Sequence, residues 1–431
     1  DNIFLFMGGF FIAMAMQKWN LHERIALNIV VRTGTNPSRL VLGFMLATAF
    51  LSMWISNTAT TLMMLPIGMA VIDEMRKRSG ASDVAKFAVC LLLGIAYSAS
   101  IGGVATLIGT PPNGVLLTNY SDMFQHADMA VKAPEIGFVQ WMMIGIPFTA
   151  IMLPLTWLLL TRVLYHFKDL HFEGAREEIQ NRLEGLGKMS KGERIVLVVW
   201  IMTALSWIFL KDIKLGSVTI PGWANLFPNS AYIRNSTVAI FFAIVLFAIP
   251  VDLKKREFAL DWEWAKRIPW GVLVLFGGGL ALARAFNATG LVQWTGDKLT
   301  LLDGVPPFVV IICVALMLTF VTELTSNVAT TSIMLPILGG AVAPALGVNP
   351  LMLMIPATIS ASCAFMLPVA TPPNAIVFGG GEITVSQMAR SGLLINVMGV
   401  IVVTLITYFL AVPVFEITMG EVPAWATMEG P

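Results

Sequence analysis

Ser56-Asn57-Thr58-Ala59-Thr60-Thr61, followed by Met64-Leu65-Pro66-Ile67, returns 270 positions later as Ser326-Asn327-Val328-Ala329-Thr330-Thr331 and Met334-Leu335-Pro336-Ile337. Nine of thirteen positions across 55–67 and 325–337 are identical. At the same offset Phe6, Gly8, Gly9, Ala13, Ala15 and Leu21 match Phe276, Gly278, Gly279, Ala283, Ala285 and Leu291, so the register holds well beyond the motif. A second motif, Thr110-Pro111-Pro112-Asn113, recurs as Thr371-Pro372-Pro373-Asn374. The chain is therefore built from two units of one plan.

The surroundings of these motifs are apolar. Of 431 residues 57% are hydrophobic and 12% charged, and the mean hydropathy is +0.79, whereas soluble chains carry roughly a quarter charged residues. This is the composition of a polytopic, all-α membrane protein. Basic and acidic residues nearly cancel, 27 against 26, so nothing points to a nucleic-acid partner. Cys90, Cys313 and Cys363 sit in apolar segments without a CxxC pair and read as small hydrophobes. Charge-free stretches run over 2–17, 40–72, 87–121, 136–161, 195–210, 235–251, 268–283, 304–322, 324–381 and 391–415. A spanning helix takes about 20 residues. Stretch 40–72 is too long for one crossing and too short for two, which predicts a re-entrant hairpin with Ser56-Asn57 at its tip. Stretch 87–121 contains Pro111-Pro112 and predicts a helix broken inside the membrane, because proline cannot continue the backbone ladder.

Lys and Arg concentrate on the cytoplasmic side of membrane proteins. Placing 18–39 inside and threading the chain outward from there puts 21 of the 27 basic residues inside. Stretches 2–17 and 268–283 then run in opposite directions, and the hairpins enter from opposite faces. The expected fold is two inverted-topology repeats, each with a re-entrant helical hairpin and a broken transmembrane helix, in a cell (inner) membrane with the C-terminus extracytoplasmic. Two spans, 195–210 and 235–251, precede the Gly-rich helix of the second repeat. The first repeat begins within the matching helix, so it reads as truncated at its N-terminus by about two spans.

A polar tip and an interrupted helix are tolerated at membrane depth only where they line a cavity or are packed in protein. Each break offers free carbonyls at one half-helix end and free amides at the next. Carbonyls with Ser, Thr and Asn oxygens suit Na⁺; amide ends suit carboxylates. Two tips facing two breaks make a pseudo-twofold site that matches a molecule with a carboxylate at each end. Isolated prolines often only kink helices, but the repetition of both motifs favours a site. The Gly8-Gly9 and Gly277-Gly278-Gly279 runs read as close helix packing and lack a Walker lysine. Glu323 is an acid within a long apolar region, hence a functional candidate, or an anchor for neighbouring backbone. An intramembrane enzyme would need a nucleophile and base or a metal cluster at depth; His22, His126, His166 and His171 lie in loops or at their edges. A proton or arsenite carrier on a similar plan would want ionisable residues in its spans.

The paired Ser-Asn hairpins and Thr-Pro-Pro breaks resemble the divalent anion/sodium symporter family, over essentially residues 1–415. The resemblance implies Na⁺-coupled symport of C4 dicarboxylates such as succinate, malate and fumarate, with citrate or another tricarboxylate, or anion exchange, as alternatives. It implies a first sodium site at Ser52, Ser56, Asn57 and the Gly109 carbonyl, and a second at Thr322, Thr325, Asn327 and the Ala370 carbonyl. Substrate contacts would come from Asn57, Thr58, Thr110 and Pro111, and from Asn327, Val328, Thr371 and Pro372. Val328 departs from the family's threonine. The resemblance also implies a homodimer in the lipid bilayer whose hairpin-bearing domain moves as an elevator against a fixed scaffold. On that plan, 1–135 holds the first transport elements (hairpin 40–72, broken helix 87–118), 136–165 a scaffold-side helix and 166–194 a cytoplasmic loop. Scaffold helices of the second repeat occupy 195–251, and 252–390 holds the second transport elements (hairpin 304–346, broken helix 351–380). A last helix covers 391–415, at the scaffold's edge, and an extracytoplasmic tail 416–431.

Overall fold

Each Ser-Asn motif sits at the turn of a helical hairpin. In the computed structural model, which describes residues 2–34, 36–78, 81–125, 133–167, 173–215, 218–291, 294 and 305–426, helix α1 spans Asn2–Lys18, α2 Leu21–Arg32, α3 Pro37–Ser52 and α4 Asn57–Arg78. Helix α3 starts at a proline, with the Asn36 side chain accepting from Ser38 N as its cap. The chain turns over 53–56 and re-enters helix at Asn57. The first broken helix is α5, Ala81–Gly103, followed after 104–110 by α6, Pro111–Phe124. Helices α7 (Phe138–Leu158), α8 (Glu173–Gly185), α9 (Lys191–Ile208), α10 (Asn235–Ala248), α11 (Trp262–Ala265) and α12 (Trp270–Ala288) lead to the second repeat. Its hairpin is α13 (Pro307–Val321) and α14 (Asn327–Ile337), the latter continuing through a π-helical segment to Ala345. Its broken helix is α15 (Leu351–Ala361) and α16 (Pro372–Gly379), and α17 (Val385–Ile406) follows.

In the first repeat the expected boundaries, 40–72 and 87–118, sit a few residues inside the helices. Absence of charge marks the apolar part of a helix, and α4 runs on through Arg76 and Lys77 before it ends. Residue 304, where the second hairpin was expected to begin, His126, His171 and the end of the tail lie outside the described residues. Stretch 166–194, expected as loop, contains α8, which packs on α4 and α2 with Ile179 buried. Between α9 and α10 stands a small antiparallel hairpin, Ile213–Leu215 with Val218–Ile220.

Packing sorts most of the helices into two groups, with α2 (on α3 and α8) and α12 (on α14, α6 and α1) between them. Helix α1 lies along α10, so close at Gly8 that a Cβ there would stand 2.6 Å from the Ala239 backbone. Lys18 pairs with Asp261 at 2.8 Å, and Arg24 of α2 with Glu193 of α9 at 2.6 Å, tying the ends of these elements together. The other group gathers the hairpins and broken helices: α3 and α4 pack on α5, α13 on α15, α14 on α6, and α16 on both α4 and α5. Helix α7 belongs to this second group. It packs against α5, α3 and α17 and more lightly against α9, whereas the sequence reading places 136–165 on the scaffold side. Helix α17, expected at the scaffold's edge, likewise packs on α13, α7 and α15. The physical cause is close approach: Gly145 and Gly392 let these helices lie on backbone, as described below.

Glycine runs behave unevenly. Gly8 is a contact as expected, but nothing lies within 4 Å of a Cβ placed at Gly277 or Gly278. Cys90 and Cys363 are buried, whereas Cys313 is exposed. By length and composition, helices covering Asp83–Gly103, Phe138–Leu164, Asn327–Ala345 and Val385–Val414 are apolar enough to cross a membrane.

Candidate functional site at the paired tips

Ser52 closes α3 and Asn57 opens α4, so the 53–56 turn brings the two side chains together. Ser52 Oγ lies 2.7 Å from Asn57 Oδ1 and 2.7 Å from the Ala99 carbonyl of α5. A hydroxyl has one proton to give, so one of these oxygens faces oxygen. With the Asn57 amide turned over, its nitrogen reaches Gly109 O at 3.3 Å, Ala99 O at 3.1 Å and Ser52 Oγ at 2.7 Å. In the unturned orientation Asn57 Oδ1 stands among the oxygens of Ser52, Ala99 and Gly109, a set that suits a hard cation, whereas the turned amide satisfies those oxygens itself. Glycines make the room: a Cβ on Gly103 would stand 2.4 Å from Asn57 Oδ1, and one on Gly109 2.8 Å from Ser52 O. Ser56, the remaining expected member, accepts the Ala59 amide on its hydroxyl at 3.4 Å and the Thr60 amide on its carbonyl at 3.0 Å.

The second tip repeats the arrangement. Thr322 Oγ1 lies 2.7 Å from Asn327 Oδ1 and 3.1 Å from the Ala361 carbonyl. Thr325 does not join them. Its hydroxyl donates to Val321 O at 2.9 Å and meets the Thr330 hydroxyl, at an exposed position. Its local helix carbonyl holds the hydroxyl there. Thr61 and Thr331 donate to the carbonyls of Asn57 and Asn327 respectively, the same bond in both repeats.

Both breaks are organised by the asparagine of Thr-Pro-Pro-Asn. Asn113 Nδ2 donates to Thr106 O at 2.8 Å and, at 3.5 Å, to Gly103 O; Asn374 Nδ2 donates to Leu367 O at 3.0 Å and Ala364 O at 3.1 Å. The carbonyls nearer the new helix, of Gly109 and Ala370, are left out of that cap. Pro111 and Pro372 are the first helical residues, where a missing amide costs nothing. Thr110 and Thr371 are the buried N-caps before them; Thr371 accepts from Asn374 N at 3.4 Å, whereas Thr110 makes no capping bond. Because α14 packs on α6 and α16 on α4, each new half-helix lies beside the other repeat's tip helix. Val328, on the second turn, is 9% exposed, whereas its counterpart Thr58 is half-buried.

The repeats differ in two respects. Residues 101–110 are all buried, but Leu324 and Val369 of the second tip and break are 78% and 80% exposed. Glu323, 3% exposed, accepts from the backbone amides of Phe365, Met366 and Leu367 at 2.7, 2.9 and 3.1 Å and from Asn396 Nδ2 of α17 at 2.7 Å. It anchors backbone. Sequence reasoning missed Ala99, Ala361 and Asn396; the first two supply only carbonyls, which carry no side-chain signal. A cavity of about 660 Å³ near Tyr120, Phe138, Trp207 and Lys211 contains none of the tip residues.

Comparison with known proteins identifies the family of the whole chain. Residues 1–416 match the family described as the sodium:sulfate symporter transmembrane region. The chain is 42% identical over 426 residues to the sodium-dependent dicarboxylate transporter SdcS of Staphylococcus saprophyticus, covering 98% of this chain and 78% of that one. It is also 42% identical over 427 residues to SdcS of Staphylococcus aureus strain bovine RF122, with the same coverage. Among solved structures, its fold resembles the YdaH transporter of Alcanivorax borkumensis, whose topology is described as unusual, with a TM-score of 0.57 at 13% identity over 95% of this chain and 85% of that one. The chain belongs to the sodium:sulfate symporter transmembrane-region family, a family of membrane transporters and not of enzymes.

Proposed function

We propose that this protein is a secondary carrier that couples Na⁺ to the uptake of C4 dicarboxylates such as succinate, malate and fumarate. The observation that carries the reading is the twofold recurrence of hydroxyl, asparagine and backbone carbonyl, Ser52–Asn57–Ala99 and Thr322–Asn327–Ala361. Each set is a cage of oxygens beside a helix start whose amides favour anions. Na⁺ would be held by Ser52, Asn57 and Gly109 at one tip and by Thr322, Asn327 and Ala370 at the other. The carboxylates would meet Asn57, Thr58, Thr110 and the α6 start, and Asn327, Thr371 and the α16 start, with Val328 a methyl contact. The names of the relatives support the coupling ion and the substrate class.

The hairpins enter the membrane from opposite faces as inverted repeats, and the group containing α3–α7 and α13–α17 moves as a body against α1, α9 and α10 in a homodimer. The carrier sits in the cell membrane with its C-terminus outside. No Lys or Arg occurs in 52–58, 103–113, 322–328 or 362–374, and helix ends supply only about half a charge each. Na⁺ must supply the rest. Uptake of labelled succinate into proteoliposomes is expected to require Na⁺ and to vanish in choline; robust uptake in choline at neutral pH would replace the sodium reading with a proton-driven one.

A further inference from the structure

The two breaks look alike but are held by different means. At the first, Trp141 Nε1 and Thr149 Oγ1 of α7 donate to the carbonyls of Val104 and Ile101 at 2.8 and 3.0 Å, and Gly145 lies against Val104 and Ala105, where a Cβ would stand 2.6 Å from Val104 O. At the second, Gly392 of α17 lies against Phe365 and Met366, where a Cβ would stand 2.2 Å from Phe365 O. Gly145 pairs with Gly392 and Thr149 with Asn396 at one common offset of 247 residues. The braces are therefore equivalent, but Thr149 grips backbone directly whereas Asn396 grips Glu323. Position 53, the counterpart of Glu323, is methionine, and its backbone carbonyl instead accepts from Thr106 Oγ1 at 2.5 Å. Three successive amides converging on one carboxylate form an anion nest closed by the protein's own acid.

We infer that Glu323 and Asn396 are positioning residues for the second cation site: the carboxylate holds amides 365–367 so that the Ala370 carbonyl stands opposite Thr322 and Asn327, and Asn396 fixes the carboxylate. Glu323 directly follows Thr322, so a change in its seating moves the tip and the break together. The inference rests on the sodium-coupled reading and adds that the two sites are unequal, one depending on a buried acid that the other lacks. It also names α17 as the element through which the second site is set.

The test uses the full chain in proteoliposomes, with wild type establishing Na⁺-dependent uptake first; a failure at that step concerns the coupling reading and not this one. Asn396→Leu keeps the volume and loses the donor. Its half-saturating Na⁺ concentration is expected to rise three- to thirtyfold, while the succinate KM measured at saturating Na⁺ stays within twofold. Asn396→Ser, which keeps a donor at shorter reach, is expected to recover part of the shift, and it serves as the main variant if the leucine protein does not insert. The shift should also appear in the Na⁺ titration of the purified protein's thermal denaturation without substrate. Half-saturating Na⁺ within twofold of wild type in both variants, with only the maximal rate reduced, would overturn the inference and leave Glu323 a structural staple.

Discussion

Asn57 and Asn327 each carry an oxygen that a cation can use and an NH₂ that a carboxylate can use, on one side chain. Because Ser52 and Thr322 touch the same amides, removing the amide takes a ligand from both partners at once. Asn57→Ala and Asn327→Ala are expected to insert normally and to lose uptake; a wild-type rate in either variant would remove that residue from the site. Position 328 is subtler. A hydrogen bond is worth about 0.5–1.5 kcal/mol net between neutral groups and about 1.5–3 kcal/mol to a charged one, and about 1.4 kcal/mol is tenfold in affinity. Val328→Thr is therefore expected to change the preference between succinate and citrate by about three- to a hundredfold, read from competition of the two acids for uptake. Unchanged affinities for both would show that the side chain does not touch substrate. At this scale the side-chain members were legible because asparagine next to serine in an apolar run has few other uses. Ala99 and Ala361 were not, since any residue type supplies a carbonyl. The Thr325 hydroxyl finds an acceptor in its own turn, which no sequence pattern announces.

Helix α17 shows what pattern reading loses between motif and element. The hairpins and breaks were legible from a polar tip and a proline pair, features that survive as words in the sequence. The braces need only a small residue and a donor one turn later, and Gly145 with Thr149 shares too little with Gly392 and Asn396 to stand out. Their roles follow from backbone contact, so they can be tested by volume. Gly392→Ala drives a Cβ into the Phe365 backbone; overpacking of this kind costs about 1–3 kcal/mol. A lower melting temperature with reduced uptake is the expected result. Gly277→Ala meets open space and replaces glycine within a helix, which favours the helix by up to about 1 kcal/mol; its melting temperature should hold or rise. Equal effects of the two substitutions would mean that α17 is not seated on the break as described.

At the scale of the whole molecule, α12 meets the hairpin-bearing group through polar and aromatic contacts. Arg284 of α12 grips Asp122 of α6 with two bonds, at 2.8 and 3.3 Å, and nearby Phe6 and Phe276 meet edge to face at 4.9 Å over Gly114 of α6. With α12 fixed beside α1 in the proposed movement, both contacts would lie on the sliding surface. A disulfide formed between cysteines in an Asp122→Cys, Arg284→Cys pair is expected to stop uptake, and reduction to restore it. Full uptake with the bond intact would show that α6 and α12 travel together. The grouping itself was only partly legible. Hydropathy reports which segments are apolar, not which neighbour they choose, and so it gave no warning that α7 sides with the hairpins.

Glu323 has an electrical consequence. Its carboxylate is held by amides and an asparagine, with no cation among these partners, so if it stays ionised while the hairpin group moves as proposed, that body would carry one negative charge through the field whether full or empty. One charge crossing the membrane is worth about 2.3 kcal/mol per 100 mV. A cargo of two Na⁺ and one dianion adds nothing to that sum, so the outward and inward strokes would be biased equally and oppositely. Voltage would then decide on which side the carrier waits without changing how steeply it can concentrate its substrate, and any net current over a full cycle would count sodium ions beyond two.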